Sequence, residues 1–534
     1  MDLEQGNNCD PDGDLPKTVN WPALVVLIIG TFMAVLDGSI VTVALPKMMA
    51  VFGVSAASIE WILTAYMLTM GIIMPLSGFL GDNFGYKRCF FAAMALFTCG
   101  SALCAVAWNF DSLIIARVVQ ALGGGLIMPL SMAMLYKICP RERIGTVMGI
   151  WGISAMAAPA IGPMLGGYLV LNADWRVIFT INLPIGIIDL LLITRLLGET
   201  GLIRGEKLDV RGIVLSTVGF FTLLLALDQS GSKGWADPRI MILLFIAVVS
   251  LILFVINELS VSDPILELRL YAIPVFAITS LINWVLQSGL NGAIFLEPIL
   301  IQNVLGQTAL TSGLITFPAA IATGMMMPIS GWIYDRYGVR RIAIVGVAIT
   351  AWTTYMMHTF NALTAFPVMA IWMTIRGVGL GLGMMPLMTA GMNAVPKTLV
   401  GRASATSEVS NQIFSSLGIA VLATIMQNRE AFHYAQLARS IDVSSAAFYQ
   451  MQSILRSMAV RLGMGAGAGQ GLGISVIYRQ VAMMSAVQAI DDCFIVAAAA
   501  CAIGLVVCFF LREKMPSASQ EPSPDSEGKP PVFA

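Results

Sequence analysis

Long apolar stretches, separated by short polar segments, follow one another along most of the chain. Each stretch is about as long as the roughly 20 residues that a helix needs to cross a bilayer. Because lipid offers no hydrogen bonds to an exposed backbone, such stretches predict membrane-spanning helices. We predict fourteen spans, at residues 23–44, 59–80, 89–108, 111–136, 144–170, 177–197, 211–230, 239–258, 275–297, 310–333, 341–360, 364–390, 404–427 and 487–511.

Composition supports an all-α polytopic membrane protein. The 534 residues are 57% hydrophobic and 11% charged, whereas a soluble domain carries about 25% charged residues. Eight cysteines lie scattered without a C-x-x-C pair, and histidine occurs only at His358 and His433. The sequence therefore implies no disulfide framework, no metal site and no histidine-based chemistry.

Charge in the loops predicts the orientation of the chain. Loops after even-numbered spans are basic, for example at Lys87, Arg141 and Lys397, whereas loops after odd-numbered spans carry only isolated residues such as Lys47 and Arg176. By the positive-inside rule the basic loops are cytoplasmic. An even number of spans then places both termini in the cytoplasm, in a chain that crosses the cytoplasmic (inner) cell membrane many times.

An internal repeat divides the spans into two groups. Gly78–Arg88 and Gly331–Arg341 each place Asp four residues after the first Gly, another Gly three residues later, and then two basic residues. Arg117 and Arg376 each precede a glycine-rich run and a proline. Repeated halves are typical of secondary transporters, whose site lies between the halves. The offset between the two copies leaves the seventh and eighth spans as an insert, so we predict two six-helix bundles plus two inserted helices.

Five regions follow from this division. The first apolar stretch has no small-residue cleavage site, which indicates a retained helix. The glycine-rich segment 464–473 is expected to be flexible. The regions are a cytoplasmic tail at 1–21, the first bundle at 22–197, a linker and the inserted helices at 198–260, the second bundle at 261–512 with a long external loop at 429–486, and a disordered cytoplasmic tail at 513–534.

A stripe of small residues marks the fifth span. Ala158, Gly162 and Gly166 recur every four residues on one helix face, which lets a neighbouring helix approach closely. Pro159 and Pro163 each remove a backbone donor, so the helix is expected to bend or loosen there. The stretch suits a hinge or a seal, but tight packing alone would also produce it.

Five motifs together resemble one family. Gly78–Arg88 resembles the loop motif between the second and third helices of the major facilitator superfamily. Arg117–Gly125 resembles its fourth-helix motif, and Ala158–Gly167 resembles its fifth-helix antiporter motif. Leu36–Pro46 and Trp175–Gly186 are similar to signatures of the fourteen-span drug–proton antiporters of the EmrB/QacA type.

The resemblance runs from residue 22 to residue 512. It implies a major facilitator fold and export of amphipathic, often cationic compounds in exchange for protons. The loop motif departs from the family pattern at Asn83 and Tyr86, where members commonly carry Arg, and the fourth-helix motif departs at Ala121, where Gly is usual. The antiporter motif falls on Pro159, Gly162, Pro163, Gly166 and Gly167.

An antiporter needs an acid that exchanges its proton for substrate, and ionisable groups inside the membrane are the first candidates. At 1.5 Å per residue, Asp37 and Arg117 lie about 10 Å from the outer ends of the first and fourth spans. The two therefore have similar depth and could pair. Protonation of Asp37 would then free Arg117 and couple proton binding to conformation, unless the pair is static.

Three further acids are candidates for proton coupling. Glu408, near the inner end of the thirteenth span, could couple protons or bind cations, or could sit at a solvated helix start. Glu297 ends the ninth span and could receive cations at the outer mouth, or simply face water. Asp189, near the middle of the sixth span, must pair or stay neutral because a lone charge there is costly. The sequence names no partner for it.

Asp82 and Asp335 precede basic residues at the cytoplasmic ends of helices. They could form charge-relay latches that stabilise an outward-facing arrangement, although tight turns with satisfied caps would need the same residues. The predicted conformational-switch loops comprise Gly78, Asp82, Gly85, Lys87, Arg88, Gly331, Asp335, Gly338, Arg340 and Arg341.

Methionine and aromatic side chains suit varied amphipathic ligands, because methionine is flexible and aromatic faces attract cations. Asn283, Gln287 and Asn291 form a polar stripe on the ninth span, which suits a central cavity or interhelical hydrogen bonds. The predicted substrate cavity comprises Gln120, Met128, Trp151, Asn283, Trp284, Gln287, Asn291 and Met384.

These observations predict a proton-coupled multidrug efflux transporter that works by alternating access. The alternatives are a dedicated exporter of one endogenous metabolite, antibiotic or siderophore, and a transport-dead sensor or scaffold. The sequence has no nucleotide-binding loop and no nucleophile–base pattern, so we expect no enzyme activity and no cofactor, with the proton gradient as energy source. Expected partners are an amphipathic small molecule, protons and the lipid bilayer. A periplasmic adaptor protein stays open as a partner, and no nucleic acid is expected.

Overall fold

The computed structural model describes residues 19–199, 209–361, 363–440 and 466–511, with a few more between 449 and 457. Within these ranges every regular element is helical. We number the long helices in chain order: α1 Trp21–Phe52, α2 Trp61–Ile73 with Leu76–Phe84, α3 Tyr86–Ala105, α4 Phe110–Ile138, α5 Ile144–Asn172, α6 Val177–Leu196, α7 Val210–Lys233, α8 Pro238–Ser260, α9 Pro274–Pro298, α10 Ala309–Tyr337, α11 Val339–Met356, α12 Phe366–Asn393, α13 Val400–Ser440 and α14 Ala466–Cys508.

The described residues confirm the prediction of fourteen spans in an all-α membrane protein. Among them, thirteen helices are long and apolar enough to cross a membrane, and the two segments of α2 make a fourteenth span when the bent pair is counted as one. The segments of α2 meet at 54°. Pro75 lies between them and lacks the N–H that would bond one turn back, which accounts for the break.

Caps define the ends of α1 and α4, the helices that carry Asp37 and Arg117. The side chain of Asn20 accepts a hydrogen bond from the Ala23 N–H at 3.2 Å where α1 begins. At the start of α4, Asn109 and Ser112 cap each other's backbone N–H groups. At the end of α1, Gly53 has a φ of 66°, a left-handed conformation that favours glycine.

Helices α1–α6 form one bundle and α9–α14 form a second, and the same packing device occurs in both. In the first bundle Gly123 of α4 lies against the backbone of Phe97 on α3. In the second bundle Gly383 of α12 lies against Gly346 of α11. A missing side chain lets the two backbones touch in each case. The repeat in the sequence is therefore also a repeat of helix packing.

The bundles contact each other near one face of the molecule. We call the face that holds Trp21 and Leu511 the terminal face, and the other the opposite face. Near the terminal face, Gly145 at the start of α5 lies against Gly331 of α10. Also near the terminal face, but at the other seam between the bundles, Gly78 of α2 lies against the backbone of Gly401 at the start of α13. Small residues thus let the bundles approach closely at each of these two places.

The inserted helices α7 and α8 pack along the seam between α2 and α13. In the half nearer the terminal face, Phe220 and Phe254 form an apolar cluster with Met74 of α2 and Val409 of α13. Nearer the opposite face, α7 and the turn that follows it bond to both bundles. These hydrogen bonds are Thr64 Oγ1 to Asp228 Oδ2 at 3.1 Å and Trp235 Nε1 to Thr424 Oγ1 at 2.6 Å. The insert therefore covers one of the two seams between the bundles.

The external loop expected at 429–486 is in part helix. Helix α13 continues to Ser440 and α14 already begins at Ala466, so the expectation of a flexible segment at 464–473 is wrong from Ala466 onward. Once a long span has formed, each added residue gains a hydrogen bond, which lets the helix extend through glycine. Residues 1–18, 200–208 and 512–534 lie outside the described residues, as do most of the residues between 441 and 465. The disordered tail expected at 513–534 lies among these residues.

Candidate functional site

The predicted pair of Asp37 and Arg117 lies inside the first bundle. Arg117 Nη1 is 2.5 Å from Asp37 Oδ2, and both side chains are fully buried. Helices α1 and α4 run in opposite directions, so equal distances from their ends place the two groups at one depth. The pair therefore forms a carboxylate–guanidinium contact without access to solvent.

Amide groups complete the shell around Asp37. The second carboxyl oxygen, Oδ1, accepts from Gln120 Nε2 at 2.8 Å and from Asn182 Nδ2 at 3.0 Å. Gln120 also accepts from Arg117 Nη1 at 2.6 Å and donates to Ser101 Oγ at 2.7 Å. Four helices thus contribute to one buried polar cluster, and Gln120, predicted to line a substrate cavity, belongs to it.

Sequence reasoning missed Asn182 and Ser101. Asn182 lies within Trp175–Gly186, the segment that resembles a signature of fourteen-span antiporters, so that signature was the available signal. Ser101 has no comparable signal, because serine is common in packed membrane helices.

The other side of Arg117 is aromatic. The guanidinium carbon lies 4.0 Å from the centre of the Tyr66 ring and 5.7 Å from that of Phe179. Its Nε donates to the carbonyl oxygen of Ile62 at 3.3 Å, whereas Nη2 has no partner among the described residues. Arg117 therefore depends on Asp37 for charge compensation, since the aromatic faces supply only a weak attraction.

The second bundle contains a pair that the sequence analysis did not predict. Glu297 is buried and bonds to Arg376 of α12, which is also buried. Because Glu297 is buried, the suggestion that it simply faces water is wrong. The suggestion that it receives cations at the outer mouth stays a prediction. The signal was in the repeat, because Arg376 corresponds to Arg117 and a matching acid on the first helix of the second bundle could have been sought.

A cavity of about 210 Å³ lies between the bundles, in the half of the molecule nearer the opposite face. Its walls come from α5, α9, α10 and α12. Most of the lining is apolar, and the Glu297–Arg376 pair lies in its wall. Unlike the Asp37 cluster, this second pair is therefore placed where a bound molecule could reach it.

The antiporter motif has two faces. Pro159 and Pro163 line the cavity, while Gly162 and Gly166 pack on Ser39 and Ile40 of α1. Gly167 has only a loose neighbour, Val43 Cγ1, at 3.9 Å from a Cβ placed on the glycine. Both prolines lie inside one continuous helix, α5. The small-residue stripe thus holds α1 and α5 together and turns the prolines toward the cavity.

At the terminal face Asp335 contacts the other bundle. It accepts hydrogen bonds from the N–H of Gly145 and from the N–H and hydroxyl of Thr146, at the start of α5. The helix N-terminus thereby gains an acceptor and a negative charge. Gly338 follows with a φ of 80° and turns the chain into α11, where Arg340 is half-buried and Arg341 is exposed.

Asp82 bonds to groups of its own bundle, whereas Asp335 bonds to the other bundle. Its Oδ1 accepts from the Tyr86 hydroxyl at 2.8 Å and from Lys137 Nζ at 3.2 Å. Tyr86, a departure from the family pattern, thus supplies a hydrogen bond to Asp82 in place of a charge. Gly85 turns the chain with a φ of 93°. Two basic residues follow: Lys87 Nζ donates to the Thr194 carbonyl at 3.1 Å, and Arg88 lies 3.7 Å from Glu199.

Several predicted cavity residues lie in helix contacts. Trp151 is buried in the first bundle, where its Nε1 donates to Thr31 at 3.1 Å and to Ser131 at 3.2 Å. Trp284 stacks on Phe414 with ring centres 4.5 Å apart. None of the predicted cavity residues is among those that line the described cavity. Trp151 belongs to an apolar core cluster and Met128 packs on it. Asn283 is buried, while Gln287 and Asn291 are half-buried and bonded to each other. Met384 packs with Leu290 and Leu380, and these two leucines do line the cavity.

The remaining acids differ in their surroundings. Glu408 is buried on α13, one turn after Ser404, whose hydroxyl donates to the Pro129 carbonyl of α4 at 2.8 Å. It therefore lies near the contact between the bundles. Asp189 of α6 is fully buried in the first bundle, and neither of its carboxyl oxygens has a hydrogen-bond partner among the described residues.

Comparisons with known proteins agree with this architecture. A family model described as Major Facilitator Superfamily matches residues 27–419. The MFS-type transporter YhcA of Bacillus subtilis is 37% identical over 92% of this chain and 92% of its own length. The multidrug export protein EmrB of Haemophilus influenzae is 31% identical over 80% of this chain and 85% of its own length. The structure of the human organic anion transporter MFSD10 (TETRAN) is similar in fold, with a TM-score of 0.62 and 13% identity, over 92% of this chain and all of that one.

Proposed function

The chain belongs to the major facilitator superfamily and, within it, to the drug-efflux family, and from this premise we propose that it is a proton-coupled exporter of amphipathic compounds. The proposal places both termini in the cytoplasm of a cell that carries the protein in its cytoplasmic membrane. The proton gradient supplies the energy, and no bound cofactor takes part. An adaptor protein outside the membrane is an additional partner compatible with this family.

The buried pair of Asp37 and Arg117 carries the proposal. Removing one partner of a buried ion pair costs about 3–5 kcal/mol, because the other charge is left uncompensated. A proton on Asp37 has a similar effect, since it cancels the charge that Arg117 faces. Proton binding therefore changes the relative stability of two conformations, which is the requirement for coupling.

The arrangement of the bundles supports alternating access. The basic loops lie at the terminal face, which the positive-inside rule makes cytoplasmic. The bundles touch there through Gly145 and Gly331 and through Gly78 and Gly401, whereas the cavity lies in the other half. We therefore assign this conformation to the outward-facing state, with Asp335 holding the cytoplasmic side closed.

The cavity supports an amphipathic substrate. Apolar walls bury the hydrophobic part of a ligand, and a few polar groups orient it. Here Glu297 and Arg376 supply charge of both signs, while Met156 and Met373 supply adaptable apolar surface. A ligand with a cationic nitrogen would compete with Arg376 for Glu297.

A dedicated exporter of one metabolite is the second candidate, and the size of the cavity favours it. Sites for drug-sized ligands usually measure about 300–1,000 Å³, and this cavity measures about 210 Å³. A small single substrate would fit without expansion of the site.

The first experiment is dye efflux from cells that carry the protein, with and without a proton uncoupler. We expect ethidium efflux that stops with the uncoupler and in Asp37→Asn. Asp174→Asn, which removes an exposed acid at the opposite face, serves as the matched control and should retain efflux. Efflux that survives both the uncoupler and Asp37→Asn would disprove proton coupling, and a wild type that moves no dye would favour the dedicated exporter.

A further inference from the structure

Asp189 is a buried acid of the first bundle that the Asp37 cluster does not use. Its carboxyl faces Gly30 of α1, since Oδ2 lies 3.4 Å from a Cβ placed on that glycine. The ends of the Met94 and Phe90 side chains of α3 approach the same point. The carboxyl therefore lies among apolar groups, and both of its oxygens lack a hydrogen-bond partner in the part of the chain that the structure describes.

Among the residues that the structure describes, no charged group compensates Asp189. An ionised carboxylate there would lose its hydration without gaining a partner, at an effective cost of several kcal/mol. A protonated carboxyl avoids this cost. The charged residues on the three helices that meet there lie elsewhere or are engaged with other groups: Asp37 and Lys47 on α1, Lys87 and Arg88 on α3, and Arg195 on α6.

The position of Asp189 relates it directly to Asp37. Helices α1 and α6 run antiparallel, and Asn182 of α6 donates to Asp37 of α1 at 3.0 Å. Seven residues further along α6 is Asp189, and seven residues earlier on α1 is Gly30, which it faces. Seven residues are two helical turns, so the two carboxyls lie about 10 Å apart along the same pair of helices. Asp189 is the one nearer the terminal face.

Hydroxyl groups of α3 occupy the interval between the two acids. Ser101 bonds to Gln120 at 2.7 Å and lies 3.4 Å from Asn182 Nδ2, so it belongs to the Asp37 cluster. Thr98, one turn closer to the terminal face, lies against Gly186 of α6. Both hydroxyls are buried. The Thr98 hydroxyl donates to the Met94 carbonyl at 2.8 Å, so the two hydroxyls place polar groups at the depths between Asp37 and Asp189.

We propose that Asp189 is a second proton-binding carboxyl, in series with Asp37 on the path to the terminal face. This inference rests on the proposed exchange of protons at Asp37. In the conformation described here Asp37 is ionised against Arg117 and Asp189 holds its proton. Asp37 then binds a proton from the side of the opposite face, which cancels the charge that Arg117 faces and favours the change of conformation. Once the bundles part at the terminal face, Asp189 loses its proton to that side. The carboxylate that remains takes the proton that Asp37 had bound, so one O–H bond breaks on Asp37 and one forms on Asp189.

The first test measures the protonation state and requires no transport. Infrared spectra of the purified full-length protein near neutral pH should contain the C=O stretch of a neutral carboxylic acid in an apolar site. The band should shift in D₂O and should persist in Asp37→Asn. It should be absent from Asp189→Asn, so that it appears in the difference between the wild-type spectrum and the spectrum of that variant. Identical spectra for wild type and Asp189→Asn in this region would overturn the proposal.

The second test measures the rate of proton movement along the proposed path. Proteoliposomes with a pH-sensitive dye inside report proton movement during ethidium transport. In Asp189→Asn we expect proton movement to slow by about tenfold or more, as for loss of a positioned acid–base group, while ethidium exchange without a gradient continues. Thr98→Val keeps the shape of the side chain and should slow the protons without removing the infrared band. Thr98→Val also tests the path if Asp189→Asn folds poorly.

The outcomes separate the two proposals. A wild type that moves no protons with the dye contradicts the proposed function and the path with it, whatever the infrared result. A wild type that moves protons, with Asp189→Asn and Thr98→Val moving them equally fast, contradicts only the path through Asp189. Asp174→Asn, in an exposed loop, should match the wild type in both measurements.

Discussion

Thr146 donates two hydrogen bonds to Asp335 of the other bundle, from its backbone N–H at 3.1 Å and from its hydroxyl at 2.9 Å. The N–H of Gly145 adds a third at 3.1 Å. The first N–H groups of a helix have no partner within the helix. Asp335 satisfies two of these donors of α5, so the contact between the bundles is also the cap of a helix.

Asp335→Asn should weaken this contact. The substitution removes the negative charge that favours the helix N-terminus, and we expect a loss of about 1–2 kcal/mol. That loss shifts the equilibrium between closed and open terminal faces by about 5- to 30-fold. Distances between spin labels at the terminal ends of α5 and α10 would report the shift. Asp111→Asn, at an exposed acid near the opposite face, should leave them unchanged, and an unchanged distribution in Asp335→Asn would refute the latch.

Glu297→Gln should destabilise the second bundle, because Arg376 would remain buried without a countercharge. The expected loss is about 3–5 kcal/mol, measured as a fall in the thermal unfolding temperature of the purified protein. Combining Glu297→Gln with Arg376→Met should recover much of that stability, since no isolated charge remains. The double variant should still fail to transport, and a stable single variant would show that the pair contributes little.

Gly162→Ala should disturb the packing of α1 on α5, because the added methyl group would meet the side chain of Ser39. Overpacking of this kind costs about 1–3 kcal/mol. Gly167→Ala, five residues further along, has its nearest neighbour at 3.9 Å and should change stability by no more than about 0.5 kcal/mol. Thermal unfolding of the two variants side by side tests the difference, and equal effects would argue against close packing at Gly162.

Trp235→Phe should loosen the insert from the second bundle while the Asp228 contact with the first bundle remains. The variant loses the hydrogen bond to Thr424, which should cost about 1 kcal/mol and leave Thr424 bonded within its own helix. Trp108→Phe is the matched control, since Trp108 is 79% exposed. If the unfolding temperatures of the two variants fall equally, the bond from Trp235 does not anchor the insert.

Depth along each helix could be predicted from the sequence. The distances of Asp37 and Arg117 from the ends of their spans indicated that they could meet, and they do, at 2.5 Å. The same reasoning failed for Glu297, because its position at a helix end suggested exposure. The structure buries it against Arg376 since α12 packs over that end of α9. The rotation of one helix against another depends on all the side chains in the contact, and a single sequence does not reveal it.

The number and order of the spans follow from the amino-acid sequence, because about 20 apolar residues in succession can satisfy their backbone in lipid only as a spanning helix. The sequence also indicates which polar residues lie inside the membrane. Which of them have partners is visible only in the folded protein: Asp37 contacts Arg117, Gln120 and Asn182, whereas Asp189, two turns away, has no partner in the described part of the chain. Helix periodicity depends only on residues close together in the chain, whereas the neighbours of a buried group depend on the packing of helices that are far apart in the chain.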